Sequence, residues 1–272
     1  MIPLHDNIPS RSFPVVNVCM IGLTVLAFLA QVLTPEDATS LIEQYGMIPL
    51  RVFNPEATLM IPDLQVIGVS DTGELIARQV ERPAAPSPLP VWLTLLTCVF
   101  LHGGWMHLIG NMWSLWIFGD NVEDSFGRFG YLIFYLAGGI AASATHLLTN
   151  GSSPIPTIGA SGAVAAVMGG YFVLYPKSRV LTLFPPLFMF VIPATWFLGI
   201  WFVMQLWHGS FSLANVEAAG VAWWAHIGGF AVGFVMAKIL ARANRMKPRV
   251  EVLYPNTERL GAYRPRTRRW HG

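Results

Sequence analysis

Apolar residues along this chain run mostly in long blocks instead of recurring on one helix face. Six blocks approach or reach the roughly 20 apolar residues a helix needs to cross a bilayer. They lie at about 14–34, 104–120, 129–149, 158–175, 188–207 and 222–241. The second and fourth are short and carry polar side chains. Between the first two blocks the pattern changes. "LQVIGVSDTGELIARQVE" alternates apolar and polar positions around Asp71-Thr72-Gly73, which predicts a small hairpin. The D-T-G string also occurs in aspartic proteases, but here it stands alone on a predicted turn, and turn chemistry accounts for it. "PAAPSPLP" (83–90) predicts a stiff connector. Residues 91–103 are apolar and lead into His102-Gly103-Gly104, where the backbone is expected to break.

Composition supports a membrane protein. Hydrophobic residues make up 54% and charged residues 12%, about half the charged share of a soluble domain. The mean hydropathy is +0.52. The first block lacks a basic segment directly before it and a small-residue cleavage site after it, so it predicts a retained helix and not a signal peptide. Charge is unevenly placed. With six spans both termini share one side, which collects fourteen Lys and Arg, ten of them from Lys238 onward. The other side holds Arg51, Arg78 and Arg82, all in the first loop. The positive-inside rule then puts both termini in the cytoplasm, and a bacterial inner membrane fits the plan. The expected organisation is an all-α polytopic membrane protein. Residues 1–13 form an N-terminal tail, 14–244 a membrane domain with an extracytoplasmic insertion at 35–90, and 245–272 a basic tail. Anionic lipid headgroups explain that tail more simply than nucleic acid does. Cys19 and Cys98 sit in apolar stretches without metal spacing and are expected as packing residues.

Polar groups at membrane depth are costly and mark functional candidates. Three places carry them. In "HGGWMHLIGNMW" (102–113), His107 and Asn111 are four apart and project from one helix face. They can point donors into one cavity, or they can pair with each other or glue helices together. Ser161 lies between Gly159-Ala160 and Gly162 at the start of an apolar helix, where it can bond back to its own backbone or meet free N–H groups. His226 lies in "WWAHIGGFAVG" (223–233), beside a Gly229-x-x-x-Gly233 face that admits close helix approach. It reads either as a satisfied core histidine, as His146 and His208 do, or as a base. A serine becomes a nucleophile only with a base in hydrogen-bond reach. His226 can be that base if the small faces of the fourth and sixth helices touch. His107, Asn111 and the Ser161 N–H would then face the oxyanion. Nothing acidic orients His226, so the expectation is a dyad.

At these residues the chain resembles the rhomboid intramembrane serine proteases. Three motifs stand in order: H-x-x-x-x-H-x-x-x-N at His102, His107 and Asn111; G-x-S-G at Gly159 to Gly162; and A-H-x-x-G-x-x-x-G from Ala225 to Gly233. "GDNVED" (119–124) also looks like the family. The resemblance implies a six-helix bundle with a water-filled cavity open to the outer face. Ser161 would be the nucleophile, His226 the general base, and His107 and Asn111 the oxyanion donors. His102, Gly159, Gly162, Gly229 and Gly233 would support the site. Substrates would be single-span membrane proteins, with the fifth helix and the 208–221 loop gating access, and no metal or cofactor. Two positions depart from the family pattern. Ala165 stands where an aromatic often packs beneath the histidine, with Phe172 or Trp223 as candidate substitutes. Trp92-Leu93 stands where a Trp-Arg pair is common. A client-binding membrane chaperone without activity, and a channel or transporter, are the competing classes.

Overall fold

The structure is a computed structural model that describes residues 1–34, 38–70, 73, 75–214 and 221–243. Asp71 and Thr72, residues 215–220 of the expected gating loop, and the basic tail from residue 244 lie outside the described residues. The chain is mostly helical. Its elements run β1 (Ile2–Asp6), α1 (Val15–Leu33), α2 (Ala38–Tyr45), α3 (Pro49–Phe53), β2 (Met60–Val69) and β3 (Leu75–Pro83). Then come α4 (Thr94–Thr97), flanked by single 3₁₀ turns, α5 (Trp105–Phe126), α6 (Arg128–Thr149), α7 (Ser161–Leu174), β4 (Arg179–Phe184), β5 (Phe188–Pro193), α8 (Ala194–Ala214) and α9 (Trp223–Arg242).

Among the described residues α1, α6 and α9 are each long and apolar enough to cross a membrane. The Val91–Phe100 segment and α5 meet at an 81° bend and together make a fourth candidate span. The bend falls at residues 101–104, where the two glycines follow His102. Helix α7 has 14 residues and rises only about 21 Å, short of the roughly 30 Å of a hydrocarbon core.

Two small sheets accompany the helices, the first within the insertion where a hairpin was expected and the second not foreseen from the sequence. Strands β2 and β3 pair antiparallel from Met60↔Pro83 to Val69↔Leu75, with a register shift between Val66 and Gly68. This ladder is tied down through Arg82, which donates to Glu43 at 2.6 Å and to Asp63 at 2.8 Å. Hydrogen bonding to the Glu43 carboxylate raises the Arg82 pKa above its ordinary value. Glu43 also accepts from the Ala85 N–H at 2.7 Å, which anchors the proline-rich connector.

The second sheet has the order β1-β4-β5. Residues 1–13 were expected as a tail, but β1 pairs with β4 from Ile2↔Leu183 to Asp6↔Val180. Likewise, residues 188–193 were expected to open the fifth span but form β5, and the helix begins at Ala194. Strand β5 lies against β4 because its backbone completes the β4 ladder. An apolar run reads the same for strand and helix, so hydropathy placed the boundary six residues early.

Polar side chains line the inward face of α1. Asn17, Thr24 and Gln31 are buried, seven residues apart, while Leu26 and Leu33 are exposed. Asn17 donates to the Leu115 carbonyl at 3.1 Å and accepts from the Tyr131 hydroxyl at 2.7 Å. This inside-out pattern suits a helix whose outer surface meets hydrocarbon.

Candidate active site

Ser161 is the first residue of α7, and the amides of a first helical turn have no intrahelical partner. The chain enters that turn through Gly159, whose φ of +122° lies in the left-handed region that disfavours side chains. A Cβ there would also stand 2.6 Å from the His107 ring. The Gly159 N–H bonds the Cys98 carbonyl at 2.9 Å and fixes the turn.

Helices α7 and α9 touch backbone to backbone. A Cβ on Gly229 would lie 2.1 Å from the Gly162 carbonyl oxygen, and one on Gly233 2.0 Å from that of Ala166. Only glycine permits this approach, and it brings His226 to Ser161. The Nε2 of His226 lies 2.8 Å from Ser161 Oγ. His226 Nδ1 lies 2.8 Å from Oε1 of Gln205 on α8.

On the other side, Asn111 Nδ2 lies 3.1 Å from His102 Nε2, so it pairs with His102 and not with His107. His102 Nε2 also accepts from the Ala160 N–H at 3.4 Å. His102 thus bridges α5 to the start of α7. The His102 and His107 rings meet edge to face at 5.0 Å. A cavity of about 510 Å³ connects these groups; His107, Asn111, Ser114, Ser161, Trp201 and His226 line it, and it extends down α7 to Met168 and to Pro3 of β1. The arrangement places a hydroxyl and an imidazole 2.8 Å apart, with further polar side chains around one hollow.

Residues 90–243, more than half of the chain, match the family profile described as Rhomboid domain. The chain belongs to the rhomboid family. It is 33% identical to the Rhomboid protease GluP of Bacillus subtilis over 149 residues, which are 55% of this chain and 26% of that protein. It is 39% identical to the chloroplastic Rhomboid-like protein 11 of Arabidopsis thaliana over 75 residues, 28% of this chain and 26% of that protein. It is 29% identical to the mitochondrial Rhomboid protein 1 of Saccharomyces cerevisiae over 164 residues, 56% of this chain and 42% of that protein. The matches therefore span less than half the length of these relatives.

Of the candidate residues read from the sequence, Ser161, His226, His107 and Asn111 line the cavity, His102 bonds Asn111, Gly159 turns the chain into α7, and Gly162, Gly229 and Gly233 lie in the α7–α9 contact. Two glutamines were missed. Gln205 meets His226. Gln31 of α1 exchanges two hydrogen bonds with the His102 backbone, each 3.1 Å, and pins the bend beside the site. The spacing of Asn17, Thr24 and Gln31 on an apolar helix was the available signal for Gln31, and a lone amide in "WFVMQLW" was the signal for Gln205. Of the two aromatic candidates to stand in for Ala165, Trp223 lies 6.1 Å from His226, centroid to centroid, and Trp201, which was not among them, lies 6.0 Å away. Phe172 instead packs on Phe230 and Phe234.

Proposed function

We propose that this rhomboid-family chain is an intramembrane serine endopeptidase that cleaves single-span membrane proteins within or beside their transmembrane helix. The observation that carries the reading is the 2.8 Å contact between Ser161 Oγ and His226 Nε2 at the edge of the cavity. The His226 imidazole takes the Ser161 proton as Oγ attacks the scissile carbonyl. The tetrahedral oxyanion then accepts hydrogen bonds from the Ser161 N–H, the Asn111 amide and the His107 ring, a role supported by all three residues lining one cavity. His226 next protonates the leaving amine, and the same base activates the water that releases the acyl group.

Six spans fit this chemistry: α1, the bent Val91–Phe126 segment, α6, α7, α8 and α9. A helix α7 of about 21 Å that reaches one bilayer surface at its C-terminal end leaves Ser161 roughly 10 Å beneath the other surface. The cavity then opens to the outer face and admits water. Both termini lie in the cytoplasm, consistent with the charge asymmetry, and the β2–β3 ladder lies outside. The partners are transmembrane substrates and the bilayer, without nucleic acid.

The test is cleavage of a single-span substrate in liposomes by purified protein, comparing wild type with Ser161→Ala and His226→Ala. Cleavage by wild type alone is expected. Cleavage by Ser161→Ala would sink the mechanism. Folded wild-type protein that binds substrates and cuts none would favour a client-binding role.

A further inference from the structure

The bond from Gln205 to His226 carries a consequence for the base. Gln205 is almost fully buried, at 4% exposure, on the face of α8 turned toward α9. Its amide nitrogen donates to the Trp201 carbonyl one turn back at 3.2 Å. A carbonyl oxygen only accepts, so this contact fixes which end of the amide faces His226: the oxygen. That oxygen also only accepts, so Nδ1 must carry the imidazole hydrogen. A neutral imidazole has one N–H, and Nε2 is therefore left as a bare acceptor toward Ser161. Turning the amide over would set two acceptors against each other at Trp201 and would permit the tautomer that cannot take a proton.

We infer that Gln205 is the positioning residue of this site: its amide oxygen holds His226 in the Nδ1–H tautomer and in the plane that aims Nε2 at Ser161. This rests on the Ser161–His226 reading above. It replaces a bare dyad with a relay whose third group is uncharged and belongs to a different helix from both reacting residues. Trp201, which presents the anchoring carbonyl, also packs its ring against His226. One turn of α8 thus supplies both the anchor and the ring contact, and the orientation of the base depends on α8 remaining against α9.

The test compares wild type with Gln205→Leu, which keeps the volume and removes the acceptor. In serine hydrolases, forcing the wrong tautomer of the base lowers kcat by about 10⁴. Leucine frees the tautomers to interconvert, so a loss of about 10–10² in kcat is expected, with KM within about threefold. A ¹⁵N-histidine spectrum, with His226 assigned by its disappearance in His226→Ala, should show the Nδ1–H form dominant in wild type and a mixture in Gln205→Leu. Wild-type kcat in folded Gln205→Leu overturns the inference, as does a loss confined to KM. If Gln205→Leu does not fold, the wild-type spectrum decides alone: a dominant Nε2–H form overturns the inference. Ser161→Ala and His226→Ala test the parent reading separately. If either cleaves, the dyad fails while the spectrum still reports on Gln205.

Discussion

Asn111 carries two amide hydrogens, and the His102 ring takes one of them. The other is left for the cavity that Asn111 lines beside Ser161. His102 therefore aims the donor that the oxyanion would use, while it is itself buried at 1% exposure outside the lining of the cavity. Asn111→Ala and His107→Ala should each lower kcat by about 10²–10³, read by initial rates in liposomes, with melting temperatures close to wild type. His102→Ala should also lower the melting temperature, since it strands the Ala160 N–H and the Asn111 amide at about 1–3 kcal/mol for each buried unpaired group. Imidazole and hydroxyl groups in an apolar helix stand out by type, and Asn111 stood out by lying four residues after His107 on one helix face, so Ser161, His107, Asn111 and His226 were legible as candidates before any geometry. Gln31 and Gln205 were not, because an amide in a helix has many bland partners. Only the placement of α1 and α8 shows that these two meet a backbone bend and an imidazole.

The contact between α7 and α9 is the element on which the site depends. Glycine at 229 and 233 lets the α7 carbonyls approach so closely that any Cβ must push the helices apart. Gly233→Ala should cost about 1–3 kcal/mol through overpacking. It should also depress cleavage more than the stability loss explains, because His226 rides on the displaced helix. Thermal unfolding in detergent and cleavage at a temperature where the variant remains folded separate the two effects. This packing was legible as small residues spaced one turn apart. The start of α8 was not legible. Phe188–Pro193 is as apolar as the helix that follows, and its strand conformation comes from β4, a partner fixed only by the tertiary fold.

At the scale of the whole molecule, the N-terminal segment runs along the bundle: Met1 and Pro3 line the cavity with Ser161, and Asp6 meets the ends of α5 and α7 away from Ser161. Asp6 is buried and accepts from the Tyr171 hydroxyl at 2.6 Å and from Asn121 Nδ2 at 2.7 Å, which ties β1 to both α7 and α5. The Trp113 indole donates to the Pro3 carbonyl at 2.5 Å. Further along, Asp124 accepts from the Arg11 and Ser12 backbone, and Glu123 receives the Val16 and Asn17 amides at the start of α1. The acids of "GDNVED" thus act as acceptors for the N-terminal segment, and Glu123 sits where a helix dipole favours negative charge. The hydrogen-bonding demand of these acids is visible in the sequence, but their partners lie more than a hundred residues away and could not be read from it. Asp6→Ala strands two buried donors, one on each of two helices, and should cost about 2–6 kcal/mol at 1–3 per group. Asp6→Asn keeps an acceptor oxygen and should lose clearly less. Melting temperatures of the purified variants measure the difference. Equal melting of wild type and Asp6→Ala would show that the strand only lies against the bundle. A large loss in Asp6→Ala, with partial recovery in Asp6→Asn, would show that the segment before the first span is part of the membrane domain and holds α5 and α7 in the register that the site at their far ends requires.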